Sequence, residues 1–108
     1  MIHELRVYHC LPGRLPALLK RFESATLKLF EKHGFRQLGF WTVGIGQSNQ
    51  DLIYILGWES LAERDQKWTA FQRDPEWIAA RDASEASGPI VANISNSILH
   101  PTSFSAAK

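Results

Sequence analysis

The sequence predicts an α+β domain in the order strand, helix, strand, strand, helix, strand, and three observations carry that prediction. Ile2 to His9 alternate in character at a period of two, an apolar stripe with steps of three or four follows, and then an aromatic, β-branched hairpin leads into a capping box and a last strand. With 108 residues, 44 % hydrophobic and 21 % charged, the chain is expected to bury one compact core, without room for separate binding and catalytic domains.

In the first strand His3, Leu5, Val7 and His9 share one face, and Ile2, Glu4, Arg6 and Tyr8 the other. Pro12 and Gly13 end it, since proline removes a donor and glycine relieves the turn. Pro16 is tolerated in the first turn of the helix that follows, whose stripe runs through Leu15, Leu18, Leu19, Phe22, Ala25, Thr26, Leu29 and Phe30. Gly34 is placed to stop that helix. The stretch from Phe35 to Ile45 reads as a strand despite Gly39, the polar run from Gly46 to Asp51 as a turn, and Leu52 to Trp58 as the antiparallel partner strand. Ser60 and Glu63 form a capping box that opens a helix through about Arg73, with Leu61, Trp68 and Phe71 toward the core. Asp74, Pro75 and Glu76 repeat the start signal for a short helix ending near Ala83. After Gly88 and Pro89, Ile90 to Leu99 reads as the last strand, which leaves 1–100 as one domain and 101–108 as a small, polar, frayed tail.

Right-handed crossovers, together with the need to cover one sheet face, turn this order into a ferredoxin-like βαββαβ sandwich with a four-stranded antiparallel sheet. The second sheet face then needs a cover. It is expected to carry Ile2, Glu4, Arg6 and Tyr8 with an aromatic such as Trp41 or Trp58 from the hairpin. A monomer with a few exposed aromatics is the plain alternative. An isologous pair of sheets is preferred, because four Trp and six Phe exceed what two modest helices cover.

Twelve Lys plus Arg against eleven Asp plus Glu, interspersed, give a net charge of +1, so neither nucleic acid nor an anionic membrane is motivated as a partner. Cys10 is the single cysteine, which excludes an intrachain disulfide and a multi-thiolate zinc site. No long apolar run and no secretory pattern is present, so a cytoplasmic protein is expected.

Five spaced motifs carry a family resemblance. Glu4-Leu5-Arg6-x-Tyr8, the Pro12-Gly13 turn, Gly39-Phe40-Trp41-Thr42, the junction from Trp58 to Arg64 and Asp74-Pro75-Glu76-Trp77 together resemble the NIPSNAP family over roughly residues 2 to 99. The resemblance implies a dimeric α/β barrel, in a superfamily that also holds cofactor-free monooxygenases, muconolactone isomerase-like enzymes and haem-using chlorite dismutases. It implies no established reaction. Eukaryotic members resemble mitochondrial proteins of vesicle traffic or mitophagy; this chain shows no transit pattern, and a small bacterial-type member is expected.

The candidate pocket is Glu4, Arg6, Tyr8, Trp41 and Trp58. Two residues of strand advance about 7 Å, so Glu4, Arg6 and Tyr8 can place a carboxylate, a guanidinium and a phenol in one enclosure. There Arg6 could hold a carboxylate or enolate, Tyr8 orient a hydroxyl, and Glu4 accept a proton if burial raised its pKa. Alternatively, Glu4 and Arg6 satisfy structural partners and Tyr8 packs. His3, His9, His33 and His100 show no metal spacing, Cys10 no activating partner, and Gly39, Gly44 and Gly46 no phosphate fingerprint, so neither metal nor cofactor is expected. Trp68, Phe71 and Trp77 read as core. Two functional classes stay open: a non-catalytic homodimer binding a small molecule or a protein, or a cofactor-free monooxygenase or isomerase acting on a small aromatic or enolisable metabolite.

Overall fold

The computed structural model describes residues 1–108. Four strands, β1 (Ile2–Cys10), β2 (Arg36–Thr42), β3 (Asp51–Trp58) and β4 (Val91–Leu99), form one antiparallel sheet in the order β2-β3-β1-β4. The first helical rod comprises α1 (Leu15–Arg21), a π-helical turn (Phe22–Thr26) and α2 (Leu27–Lys32) without a break in helical dihedrals. The helices α3 (Leu61–Arg73) and α4 (Pro75–Ser84) lie on the same face.

The local signals act where the sequence placed them. Ser60 accepts from the Glu63 amide at 3.1 Å and Asp74 from the Glu76 amide at 2.9 Å, capping α3 and α4. Gly34, at φ +75°, takes the left-handed conformation that stops the first rod. No side chain at Arg14 caps α1; instead Gln50, from the β2–β3 hairpin, accepts from the amides of Gly13 and Leu15. β2 ends at Thr42 and not at Ile45, which is fully exposed beyond the sheet.

Two faces with a period of two exist as expected, but the helices cover the other one. Glu4, Arg6 and Tyr8 of β1 are buried with Leu52, Tyr54, Leu56 and Trp58 of β3 beneath the helices, while Leu5, Val7, Ile53 and Ile55 remain partly exposed on the open face. Alternation separates two sets of side chains without saying which one the helices cover; here the set bearing the large rings packs against Phe22, Phe30 and Phe35. Trp41 is half exposed on the open face, its ring lying over Gly39, where any Cβ would meet it at 2.7 Å. The tail beyond β4 carries only a turn at Thr102–Ser105.

Candidate functional site

Glu4 is the centre of a buried polar cluster. Its carboxylate, fully enclosed, receives Trp58 Nε1 at 3.1 Å and Arg64 Nε at 3.0 Å on Oε1, and Arg6 Nη1 at 2.9 Å, Arg64 Nη2 at 3.0 Å and Asn96 Nδ2 at 3.0 Å on Oε2. These donors arrive from the end of β3, the first turn of α3, β1 and β4. Arg64 grips both oxygens as a fork, a geometry available to arginine and not to lysine. Burial by itself raises a carboxyl pKa, but Arg64, Asn96 and Arg6 outweigh it and bring Glu4 from 4.5 down to about 2. The condition under which Glu4 could accept a proton, a pKa raised by burial, is therefore not met: its lone pairs are taken, as in the alternative where Glu4 satisfies structural partners, and its affinity for a proton is low.

Arg6 is spent in the same cluster. Its Nε donates to the Tyr54 hydroxyl at 2.9 Å, and its guanidinium lies over the Trp68 ring at 4.1 Å. Burial opposes its charge, but Tyr54, Tyr8 and Glu4 more than compensate, so it holds its proton more firmly than usual. Tyr54 in turn donates to the Tyr8 hydroxyl at 3.0 Å, and burial pushes the Tyr54 phenol well above its ordinary range. The chain Glu4–Arg6–Tyr54–Tyr8 thus ends on a hydroxyl whose own proton remains to be given.

That hydroxyl belongs to a residue lining a cleft of about 230 Å³ between the sheet and α3 and α4, walled by Arg6, Tyr8, Arg21, Trp68, Trp77 and Ile94. A larger cleft of about 410 Å³ runs between α1 and α4, where Ala17, Ala25, Ala80 and Ala83 alternate with Lys20, Arg21, Ser24 and Ser84 and no aromatic ring is present. Arg21 stands between the two.

Of the predicted pocket residues, the structure brings Glu4, Arg6, Tyr8 and Trp58 together and leaves Trp41 on the opposite face. Tyr54, Arg64, Asn96 and Arg21 escaped sequence reasoning, while Trp68 and Trp77, read as core, pack with the core and also wall the cleft. Tyr54 alone had a visible signal, since Leu52, Tyr54, Leu56 and Trp58 share one parity and Tyr54 pairs with Arg6. His9, which seemed unpartnered in the sequence, sits between Asp51 Oδ1 and Ser95 Oγ, each at 2.9 Å, on the open face with no cleft beside it. Cys10 is buried in the hydrophobic core, and that burial raises its thiol pKa. No group of three His, Cys, Asp or Glu is placed to hold a metal, and no helix is long and apolar enough to cross a membrane.

Comparison with known proteins extends this picture. A NIPSNAP family protein of unknown function from Agrobacterium tumefaciens is 25 % identical, with 98 % of this chain and 92 % of that chain covered and a TM-score of 0.86. A NIPSNAP-like domain protein from Burkholderia xenovorans is 26 % identical, with 96 % and 87 % covered and a TM-score of 0.85. At 8 % identity, covering 94 % of this chain and 98 % of the other at a TM-score of 0.64, a proposed antibiotic biosynthesis monooxygenase from Nitrosomonas europaea shares the fold alone. No curated protein matches the chain significantly. The NIPSNAP family model matches residues 3–106, and the chain belongs to the NIPSNAP family.

Proposed function

We propose that this chain acts as a homodimer that binds a small molecule in the cleft between its sheet and its helices. The observation that carries this reading is the cleft itself, lying beside the buried hydrogen-bond chain with Tyr8, Trp68, Trp77 and Arg6 on its walls. Aromatic walls with a few fixed polar groups are the usual composition of a ligand site. A site of about 230 Å³ fits a single-ring compound better than a drug-sized one. The rigid Glu4 cluster fixes the Arg6 and Tyr8 side chains before any ligand arrives, which lowers the ordering cost of binding.

A second copy of the chain is the proposed cover of the open face. Leu5, Val7, Ile53 and Ile55 form an apolar centre there, with Trp41 half exposed beside them. A two-fold axis through such a patch would bury it against itself. Cofactor-free isomerase or oxygenase chemistry is the weaker reading, because Glu4 behind the cleft wall is saturated with donors and Glu85, the one carboxylate on the wall, faces the Arg21 guanidinium at 3.7 Å.

The test joins the two parts. Light scattering at micromolar concentration is expected to give twice the 12.3 kDa chain mass, and Ile53→Asp to give the single mass. A thermal-shift screen of single-ring metabolites should yield hits whose binding Ile94→Trp, at the half-exposed rim of the cleft, abolishes without changing the mass. A monomer, or hits indifferent to Ile94→Trp, would refute the corresponding half of the reading.

A further inference from the structure

Two side chains on the cleft wall carry buried donors that have no acceptor. Arg21 Nε and Trp77 Nε1 are buried without a hydrogen-bond partner, and both residues line the cleft; of the two clefts, Trp77 lines only this one. Buried N–H groups are nearly always paired, so two orphans around one space mark a place for acceptor oxygens. We propose that the cleft binds a small aromatic monocarboxylate whose oxygens are received by Arg21 and Trp77, with Arg6 serving as a wall and not as the anchor. This deepens, and rests on, the cleft-binding reading above.

Arg21 differs from Arg6 in what remains to it. Its side chain is 5 % exposed, yet only Nη1 is engaged, with Ser84 Oγ at 3.2 Å and with Glu85 at the loose distance of 3.7 Å. Its guanidinium stands 5.2 Å from the Trp77 ring centroid, so the charged group and the orphan indole N–H belong to adjacent side chains. Arg6, Arg21 and Arg81 line the cleft against Glu85 alone, and only Arg6 has a buried carboxylate of its own, in Glu4. A carboxylate supplies acceptors without donors and brings the missing negative charge, whereas a neutral amide or alcohol supplies only part of this. Tyr8, Trp68, Val91 and Ile94 leave an apolar, ring-lined remainder for the body of the ligand.

The backbone at Arg21 is unusual in the same place. The π-helical turn begins at Phe22, and Thr26 Oγ1 donates to the Arg21 carbonyl at 3.4 Å. The turn leaves Arg21 and Phe22, consecutive in sequence, both buried, so the rod contributes a core ring and a cleft cation side by side. Such turns interrupt the favoured i→i−4 ladder and recur at functional sites.

The test is calorimetric titration of the full chain with benzoate, phenylacetate and cinnamate, alongside benzamide and sulfate, with Trp fluorescence as a second readout. At least one carboxylate is expected to bind, with benzamide and sulfate roughly tenfold weaker or worse. Arg21→Gln and, independently, Trp77→Phe, which keeps a ring and removes only the N–H, should each weaken that carboxylate several-fold, Arg21→Gln by about tenfold or more. Circular dichroism and mass report whether either variant is altered in fold, and Trp77→Phe keeps the test decisive if Arg21→Gln is. No carboxylate binding, equal affinity for benzamide, or affinity unchanged in both variants would overturn the inference. Equal affinity for sulfate would overturn it in favour of a plain anion site. If a neutral hit is lost in Ile94→Trp but kept in Arg21→Gln, the cleft reading stands and the carboxylate inference falls. Loss of neither, with no ligand for the cleft, removes both.

Discussion

Replacing Glu4 with glutamine tests the buried cluster at its centre. Glutamine keeps the shape but removes the charge, and turns an NH2 toward donors from Arg6, Arg64, Asn96 and Trp58. The fall of the Glu4 pKa from 4.5 to about 2 corresponds to about 3 kcal/mol of neutral-pH stability at ~1.36 kcal/mol per pKa unit. Breaking a buried ion pair from one side costs a similar ~3–5 kcal/mol, because it strands the partner charge. At a urea slope of roughly 1–3 kcal/mol per molar, the midpoint of Glu4→Gln should fall by about 1–3 M at pH 7.

The sign of the pH effect follows from the depressed pKa. The contribution of Glu4 is fully present above the unfolded value of 4.5 and is lost as pH falls toward about 2, with about half gone near pH 3. The gap between wild type and Glu4→Gln should therefore close on acidification. Urea titrations followed by Trp fluorescence at pH 7, 5, 3 and 2.5, at one protein concentration because the proposed association would add to stability, measure it. A midpoint within about 0.5 M of wild type at pH 7, or a gap that stays constant to pH 2.5, would refute the reasoning.

Two further expectations concern the helix starts. Ser60→Ala removes the acceptor of the Glu63 amide and should cost about 0.5–2 kcal/mol with no change in oligomeric mass; an unaltered urea midpoint would show that another group caps α3. Asp74 caps α4 while receiving Lys32 Nζ at 2.9 Å and His33 Nε2 at 2.7 Å, and these partners, with the Glu76 amide, hold its pKa below the ordinary carboxylate range. Its stabilisation is present above the unfolded carboxyl pKa of about 4 and is lost as pH falls below it. Asp74→Asn, which can still cap, should accordingly lower the melting midpoint at pH 7 and converge on wild type in acid; an equal deficit at both pH values would assign the effect to the cap instead of the charge.

The sequence by itself determined the elements and their order, because those signals are local. Alternation in β1, the caps Ser60 and Asp74, the left-handed Gly34 and the apolar stripe of the first rod each depend on residues within a few positions of one another. It also brought Glu4, Arg6 and Tyr8 onto one face, since a strand fixes parity. Only the tertiary structure decided which face the helices cover, because alternation is symmetric until packing chooses; that choice buried Glu4 and left Trp41 outside. The partners of Glu4 could not be read either: Arg64 lies 60 residues away and Asn96 92 residues away, and both meet it only through chain crossovers and strand register. The same holds for Gln50 at the start of α1 and for the meeting of Arg21 with Trp77 across the two helices. A carboxylate's pKa depends on what surrounds it in space, so the change of Glu4 from candidate base to saturated anion was settled by those distant donors and not by its place in the strand.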